Sequence, residues 1–508
     1  MGRPVVLLLG ASGSMGGAAL KELWKRRDEF GIRKYDLVLL QRPSAANKAM
    51  FAPYEAECGI AGIPGEGVVC GEGLKIVWGD ATVYEDIVEA VKGVDRVLCP
   101  MAFISPEADR NPEMARAVNT TAIEYLVRAI EEQPGGADRI RLIYVGTVAQ
   151  TGDRRPPIHR GRVGDPLKPS IHDYYATTKI AGERAVLESN LRYWASLRQT
   201  FIMIPDIFSL QDPIMFHQPI NSFMEANTAV DAGRGLVNCL EIPGDSSFWR
   251  RVYNMGGGPR NRIAYIDFLQ AVLGLMGMDV RRVCERRWFA LRNFHMQYFL
   301  DSVELDSYIH NFGETLEDFL RQVRKNLPGS LKALAAINKV FPPFRRLAEK
   351  ITYRRFKKVA LQEGGPLYWY RNRKEEMISA FYGSFEDMEA IPDWYTDMPA
   401  GTFGRPEPAW RRLDHGYDET KESLERSDLQ GAAEFRGGDC LTAHWDGDMY
   451  MPLAWRCARG HTFEARPYTV LKAGHWCPQC VPPPWDYDGE ARINPFFAQV
   501  LVSRPARG

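Results

Sequence analysis

Five consecutive apolar residues, Val5–Leu9, run without a break into Gly10-Ala11-Ser12-Gly13-Ser14-Met15-Gly16. A strand that ends in glycines at this spacing and reopens as a helix constrains this chain more than any other feature. The first glycine permits a tight turn, the second lets a ligand approach the backbone, and the third lets the new helix pack on the strand. The first helical N–H groups then face outward and form a seat for a pyrophosphate. Gly10, Ser12, Gly13, Ser14, Met15 and Gly16 are therefore candidate dinucleotide-binding residues.

The turn opens a series of alternating units. Strands are expected at residues 5–9, 37–40, 75–78, 96–99 and 141–145, with later ones at 193–204 and 251–254. Helices are expected at 16–27, 84–91, 112–132 and 175–189. Such alternation builds an α/β fold, a doubly wound parallel (Rossmann) sheet. From Ile263 onward the pattern turns mostly helical, and residues 368–436 read as an irregular connector. At 508 residues the chain is too long for one core. We expect a dinucleotide-binding domain with a substrate-binding half at 1–330, a helical and irregular extension at 331–436, and a small zinc-binding module with a tail at 437–508.

Lys plus Arg and Asp plus Glu both number 64, so net charge gives no argument for a nucleic-acid partner, and none is expected. The local exception is the stretch 341–358, with Arg345, Arg346, Lys350, Arg354, Arg355, Lys357 and Lys358. It reads either as a solvated helix face or as a surface for an anionic partner. No stretch reaches ~18 apolar residues, so no membrane span is expected. The opening apolar run is too short for a secretory signal, and Val6 stands where a myristoylation motif wants Ser or Thr. Nine cysteines, three of them crowded near the C-terminus, favour a reducing compartment and metal-binding thiolates over disulfides. A cytoplasmic location follows as the expectation.

The second strand ends Leu40-Gln41-Arg42. An NAD site usually places a carboxylate there for the ribose hydroxyl. A guanidinium at Arg42 suits the 2′-phosphate of NADP instead, so NADP is expected ahead of NAD. Asp80, followed by Ala81 after the third strand, either meets the adenine or caps the next helix.

Tyr175 and Lys179 are four apart and share a helical face. A phenol with a pKa of about 10 is a poor base at neutral pH. A neighbouring ammonium is expected to lower it, letting Tyr175 exchange a proton while hydride moves at carbon. Thr147 ends a strand 28 residues before Tyr175 and can bond the substrate oxygen. Asn119 sits inside an otherwise strong helix, where asparagine is a mediocre choice.

These residues carry a resemblance. Gly10-x-x-Gly13-x-x-Gly16, Gly79-Asp80, Asn119, Thr147 and Tyr175-x-x-x-Lys179 occur in the order seen in extended short-chain dehydrogenases/reductases, the NAD(P)-dependent epimerase/dehydratase-like superfamily. The likeness covers roughly residues 4–325 and includes Leu197-Arg198 and Val252–Gly257. It implies Thr147 and Tyr175 at the reacting oxygen, Lys179 on the nicotinamide ribose and on Tyr175, and Asn119 supporting a proton-relay water. Ala102, in the run Cys99-Pro100-Met101-Ala102 that departs from the common His-x-Ala-Ala, joins the implied cofactor contacts. Val148-Ala149 stand where dehydratases carry Asp-Glu, which argues against sugar-nucleotide dehydration.

Cys457, His461, Cys477 and Cys480 form two knuckles whose thiolates and imidazole suit structural Zn²⁺. Cys440 and His444 are an alternative first knuckle. The Cys-x-x-Cys half also mimics a redox motif, but Val481-Pro482-Pro483-Pro484 denies it the helix such a site needs. The pattern resembles treble-clef zinc ribbons, which implies scaffolding or a protein partner.

The expected function is reversible hydride transfer between NAD(P) and a carbonyl/alcohol of a small molecule. An NAD-retaining nucleotide-sugar epimerase and a non-enzymatic dinucleotide-binding scaffold are the alternatives. A homodimer is left open. Phe216, His217, Trp249 and Tyr265 are candidates for the substrate pocket, most of them expected to pack.

Overall fold

A computed structural model describes residues 2–60, 63, 65–204, 212–394, 407–480, 483 and 485–501. Its centre is an eight-stranded sheet: β1 Val5–Leu9, β2 Asp36–Gln41, β3 Val68–Gly71, β4 Leu74–Trp78, β5 Arg96–Cys99, β6 Arg141–Thr147, β7 Tyr193–Gln199 and β8 Arg251–Met255. The spatial order is β8-β7-β6-β5-β1-β2-β4-β3, parallel throughout except for β3 at the edge. β1 lies between β2 and β5, so successive crossovers leave it in opposite directions. A doubly wound sheet binds its ligand in the crevice this creates at the strands' carboxyl ends.

Side-chain alternation in the strands divides the core in two. Val6 and Leu8 point to one face, with Leu37, Leu39 and Ile76, under the helices Ser14–Lys25 and Ala229–Asn238. Leu7 and Leu9 point to the other, with Val97 and Leu142, under Tyr84–Val91 and Ala122–Glu131. Burial on both faces explains why the strands read as continuous apolar runs.

Four local expectations change. β3 was not anticipated; it folds back on β4 as an antiparallel hairpin. The helix expected at 112–132 is broken by a π-helical turn, Ala117–Thr121, between Pro112–Arg116 and Ala122–Glu131. The strand expected at 193–204 ends at Gln199, and Ile202–Met203 pairs separately with Asn227–Thr228. The connector expected at 368–436 contains the helices Glu375–Phe381, Phe385–Glu389 and Arg426–Phe435, with residues 395–406 outside the described part.

The helices Gly329–Val340 and Pro342–Ala360 contribute Ala335, Ala348 and Val359 to the same core as Phe216, Tyr265, Trp288 and Phe319. The C-terminal residues form a three-stranded antiparallel sheet, Asp439–Cys440, Leu453–Arg456 and Thr462–Ala465. They dock on the main sheet: Arg184 Nη1 donates to Trp476 O (2.9 Å), Arg198 Nη2 to Ala473 O (2.7 Å), and Val252 N to the Tyr468 hydroxyl (2.8 Å). No helix among the described residues is long and apolar enough to cross a membrane.

Candidate functional site

The glycine turn is built as its spacing predicts. Gly10 has φ +89°, and Gly13 N donates to Gly10 O at 3.0 Å. A Cβ at Gly16 would lie 2.0 Å from Gly10 O, and one at Gly10 would lie 2.8 Å from Met101 Cα. No alanine fits at either position. Ser12, Gly13 and Ser14 are exposed, and no side chain caps the helix that follows, so its leading N–H groups face an open surface. Met15 instead belongs to the core. At the end of β2, Gln41 is buried with no hydrogen-bond partner for its Nε2, and Arg42 is exposed. A buried orphan donor beside an exposed guanidinium fits the polar end of a dinucleotide. Asp80 Oδ1 accepts from Thr82 N (2.9 Å) and Thr82 Oγ1 (2.8 Å), a local turn; the helix Tyr84–Val91 that follows has no side-chain cap, so Asp80 does not cap it. Ala81 and Ala102 are half-buried in the segments that follow β4 and β5.

β6 delivers Thr147 at its carboxyl end. The Thr147 hydroxyl accepts from Ala149 N (3.2 Å), and Thr147 N donates to Gln150 Oε1 (3.0 Å), a reciprocal cap that fixes the residue. The helix Tyr174–Leu187 brings Tyr175 alongside, close enough for the Thr147 hydroxyl to favour its phenolate. The expected acidification of Tyr175 is not found. Burial pushes the phenol up to about 12, the Thr147 hydroxyl draws it down, and Asp173 pushes it up again. Lys179 is turned elsewhere: its Nζ donates to Val145 O at 2.6 Å and lies 4.2 Å from the centre of the Tyr144 ring. Burial lowers the Lys179 ammonium to about 8, against the pull of Cys99 and Glu183. Sharing a helical face brought these two side chains near one another without bringing their polar ends together.

Asn119 lies in the π-helical turn and is fully buried. Its Oδ1 accepts from Phe103 N (2.8 Å), while Nδ2 donates to Phe103 O (2.9 Å) and Thr178 Oγ1 (3.1 Å). Both donors are used, so Asn119 pins the loop after β5 to the helix bearing Tyr175 and keeps one lone pair for a water.

Behind Thr147 is a dry polar network that the sequence did not disclose. Glu183, one turn beyond Lys179, accepts from Ser196 Oγ (2.6 Å), Gln150 Nε2 (2.9 Å), Arg198 Nη2 (2.7 Å) and His475 Nε2 (2.9 Å). Glu183 and Arg198 are both fully buried. Burial alone would raise the Glu183 carboxyl, but Arg198 and His475 hold it far below the usual range. An ionised carboxylate only accepts, so His475 carries its proton on Nε2. Gly146 makes the approach possible: a Cβ there would lie 3.0 Å from Gln150 Oε1 and 3.2 Å from Glu183 Oε1.

A second acidic pair stands at the start of the same helix. Asp109 Oδ1 accepts from Tyr174 N (2.9 Å), and Asp173 Oδ1 from Ala176 N (2.7 Å). Burial, then the Asp173 charge, raise Asp109 to about 7.

Cys457, His461, Cys477 and Cys480 converge, their ligand atoms all within 4.8 Å of one another. The His461 Nδ1 stands 3.5 Å from each of the three sulfurs, and the Cys457 and Cys480 sulfurs are 3.6 Å apart. Cys440 and His444 are not in this group; Cys440 is buried in its strand and His444 is exposed. Residues 481, 482 and 484, which carry most of the proline argument against a redox helix, lie outside the described part.

The pocket candidates are packing residues. Phe216 stacks edge-on against Trp288 and Phe289. Trp249 packs on Tyr193 and Phe248, Tyr265 donates to Met215 O (2.8 Å), and His217 is half-buried against Trp369 and Phe381.

Among solved structures, the chain is similar to UDP-glucuronic acid 4-epimerase from Bacillus cereus in complex with UDP-glucuronic acid and NAD, at 16% identity and TM-score 0.47, covering 65% of this chain and 99% of that one. It is similar to DesIV, a dTDP-glucose 4,6-dehydratase from Streptomyces venezuelae with NAD bound, at 17% identity and TM-score 0.47, covering 63% and 97%. A third is WbmH from Bordetella bronchiseptica in complex with NAD⁺, at 16% identity and TM-score 0.44, covering 64% and 96%. No curated protein matches the chain. Residues 6–226, which hold the glycine turn, Thr147, Tyr175 and Lys179, match the model of the NAD dependent epimerase/dehydratase family.

Proposed function

We propose that the chain is an NAD(P)-dependent oxidoreductase acting on a carbonyl/alcohol carbon of a small molecule, with NADP ahead of NAD. The observation that carries this reading is the placing of two hydroxyls, Thr147 and Tyr175, beside one another at the carboxyl end of β6. A bound dinucleotide supplies or accepts the hydride and, when oxidised, adds a positive ring to the site. Tyr175, with a pKa near 12, enters neutral and serves first as the acid that protonates the substrate oxygen. Thr147 holds that oxygen, Lys179 takes the nicotinamide ribose only if its ammonium leaves the Val145 carbonyl, and Asn119 keeps the loop after β5 in place beside any relay water. Gln199 Oε1 and Thr200 Oγ1, at the carboxyl end of β7, are buried without partners among the described residues and suit a polar substrate.

An epimerase that retains its cofactor uses the same residues, and the family match of residues 6–226 favours it as the second reading. Native and denaturing mass spectra of the purified chain separate the two. A dinucleotide released only on denaturation, with no net turnover, supports the epimerase. Exchangeable NADPH consumed with a carbonyl substrate supports the reductase. In either case Tyr175→Phe should leave dinucleotide binding within threefold of the parent and abolish turnover; full turnover in that variant refutes both.

Cys457, His461, Cys477 and Cys480 are proposed to hold one structural Zn²⁺. A tetrahedral ion with Zn–S of about 2.3 Å and Zn–N of about 2.0 Å places sulfurs about 3.8 Å apart and sulfur about 3.5 Å from nitrogen. The observed 3.6 Å and 3.5 Å fit. Four protein ligands leave no open position, so the role is to hold the knuckles together. One equivalent of zinc in the parent and none in Cys480→Ser is the expected elemental analysis.

A further inference from the structure

The helices Gly329–Val340 and Pro342–Ala360 form a hairpin with Phe341 at its corner. Its inner face is anchored: Asn338 Nδ2 donates to Met276 O (2.8 Å), Glu349 Oε1 accepts from Asp279 N (3.3 Å), and Ala335, Ala348 and Val359 join the core. Its outer face has no such partner among the described residues. Five of the nineteen exposed large apolar side chains among the described residues fall within 337–351: Ile337 (42% exposed), Val340 (80%), Phe341 (55%), Leu347 (54%) and Ile351 (44%). Such residues scattered singly need no explanation, but a cluster on one small surface does.

Charge distinguishes the kinds of partner. Residues 329–360 hold nine basic residues and one acidic, Glu349, which is buried on the inner face. Lys339, Arg346, Lys350, Arg354, Arg355 and Lys358 are exposed, and none pairs with an acid among the described residues. Along Pro342–Ala360 the exposed positions 343, 346, 347, 350, 351, 354, 355 and 358 follow helical spacing, so Leu347 and Ile351 share one outward stripe with the cations. The rest of the chain is net acidic to balance this, since the whole is neutral. A solvated face needs no leucine or isoleucine there. A phosphate backbone would gain from the cations but nothing from Val340, Leu347 and Ile351. An apolar corner in a ring of lysine and arginine fits a surface that is anionic outside and hydrocarbon beneath.

We propose that this hairpin docks the protein on an anionic lipid surface, with Val340 and Phe341 entering the headgroup layer and the basic stripe of Pro342–Ala360 facing lipid phosphates. The proposal is independent of the assigned chemistry, so it stands or falls apart from it. The full chain is sedimented with phosphatidylcholine vesicles containing or lacking 30 mol% phosphatidylglycerol, at low and high salt. Binding should require phosphatidylglycerol and weaken with salt, as the cations are exposed. The triple variant Arg346→Gln/Lys350→Gln/Arg354→Gln should bind on the order of a hundredfold more weakly. Val340→Ser/Phe341→Ser should lose the salt-resistant part of the binding. Both variants change exposed residues and should unfold at the parent's temperature. Equal binding to both vesicles, no binding to either, or triple-variant binding equal to the parent overturns the proposal. So does a preference for single-stranded RNA over the anionic vesicles that the triple variant abolishes, which would make the partner a nucleic acid.

Discussion

Replacing Glu183 by glutamine should cost more stability than any other isosteric change near the site. Glu183 and Arg198 have no exposed side-chain surface, and among the described residues the carboxylate is the only counter-charge within bonding distance of that guanidinium. An amide keeps one acceptor and turns the other into a donor. With its nitrogen in the place of Oε2 it would face Gln150 Nε2, Arg198 Nη2 and His475 Nε2, all donors. With its nitrogen in the place of Oε1 it can still donate to Ser196 Oγ, so this is the orientation it should take. The hydrogen bonds then largely survive, and the loss is the charge: an arginine left buried and uncompensated, for which about 3–5 kcal/mol is typical. For a chain of this length the thermal midpoint should fall by about 3–5 °C. Scanning calorimetry of the full chain measures it, with midpoints compared in place of extrapolated free energies, because a chain of this size need not unfold in two states. The carboxyl's folded pKa lies far below its unfolded value, so its stabilisation is fully present above about pH 4.5 and lost only in strong acid. The gap between parent and variant should therefore be constant from pH 6 to 8. Glu183→Leu/Arg198→Met should lose less than either single change, since both charges leave together. A Glu183→Gln midpoint within 2 °C of the parent, or a double variant equal to the sum of the singles, would refute the reasoning.

Asp109 works in the opposite sense. Its folded pKa of about 7 exceeds the unfolded 3.8, so the folded chain holds a proton there that the unfolded chain releases, and stability falls as pH rises through that window. Asp109→Asn still accepts from Tyr174 N and should show a flatter melting profile between pH 4 and 7 and a higher midpoint at pH 8; an unchanged profile counts against the assignment. Arg42→Ala should weaken NADPH binding at least tenfold by fluorescence titration and leave NADH within twofold; equal losses would mean that Arg42 does not read the 2′-phosphate. Deleting residues 437–501 takes away the partners of Arg184, Arg198, Glu183 and Val252, and the remainder should be insoluble when expressed alone. A monodisperse, dinucleotide-binding fragment would contradict that.

What the sequence disclosed was local. The glycine turn, the strand ending at Thr147 and the knuckle spacings each depend on a few neighbouring residues, and each forms as read. β3 escaped because Val68-Val69-Cys70-Gly71 is four residues long, lies at an edge, and follows glycines that read as loop. The π-helical turn escaped because one extra residue in a helix leaves the apolar periodicity almost intact; Asn119, an asparagine where a better helix former was expected, was its one visible trace. Lys179 was misjudged for a different reason. Spacing by four fixes the direction of a side chain's stem, not where its end goes, and the Val145 carbonyl outcompetes the phenol for the ammonium.

Glu183 and His475 are separated by 292 positions, and no spacing rule connects them. A physical rule does, read in reverse. Arg198 is the one charged residue of β7, and a cation in a strand buried on both faces requires an anion. The nearest acid able to reach it is on the helix that carries Tyr175, and a carboxylate with all its lone pairs in dry protein requires further donors. Gln150 and Ser196 supply two from the main sheet. The third must come from whatever covers that helix and keeps water away. In this chain the cover is the cysteine module, and His475, two residues before Cys477, is the donor it brings. The module therefore completes the polar interior beneath Thr147, and its knuckles and the hydroxyl pair belong to one packed unit.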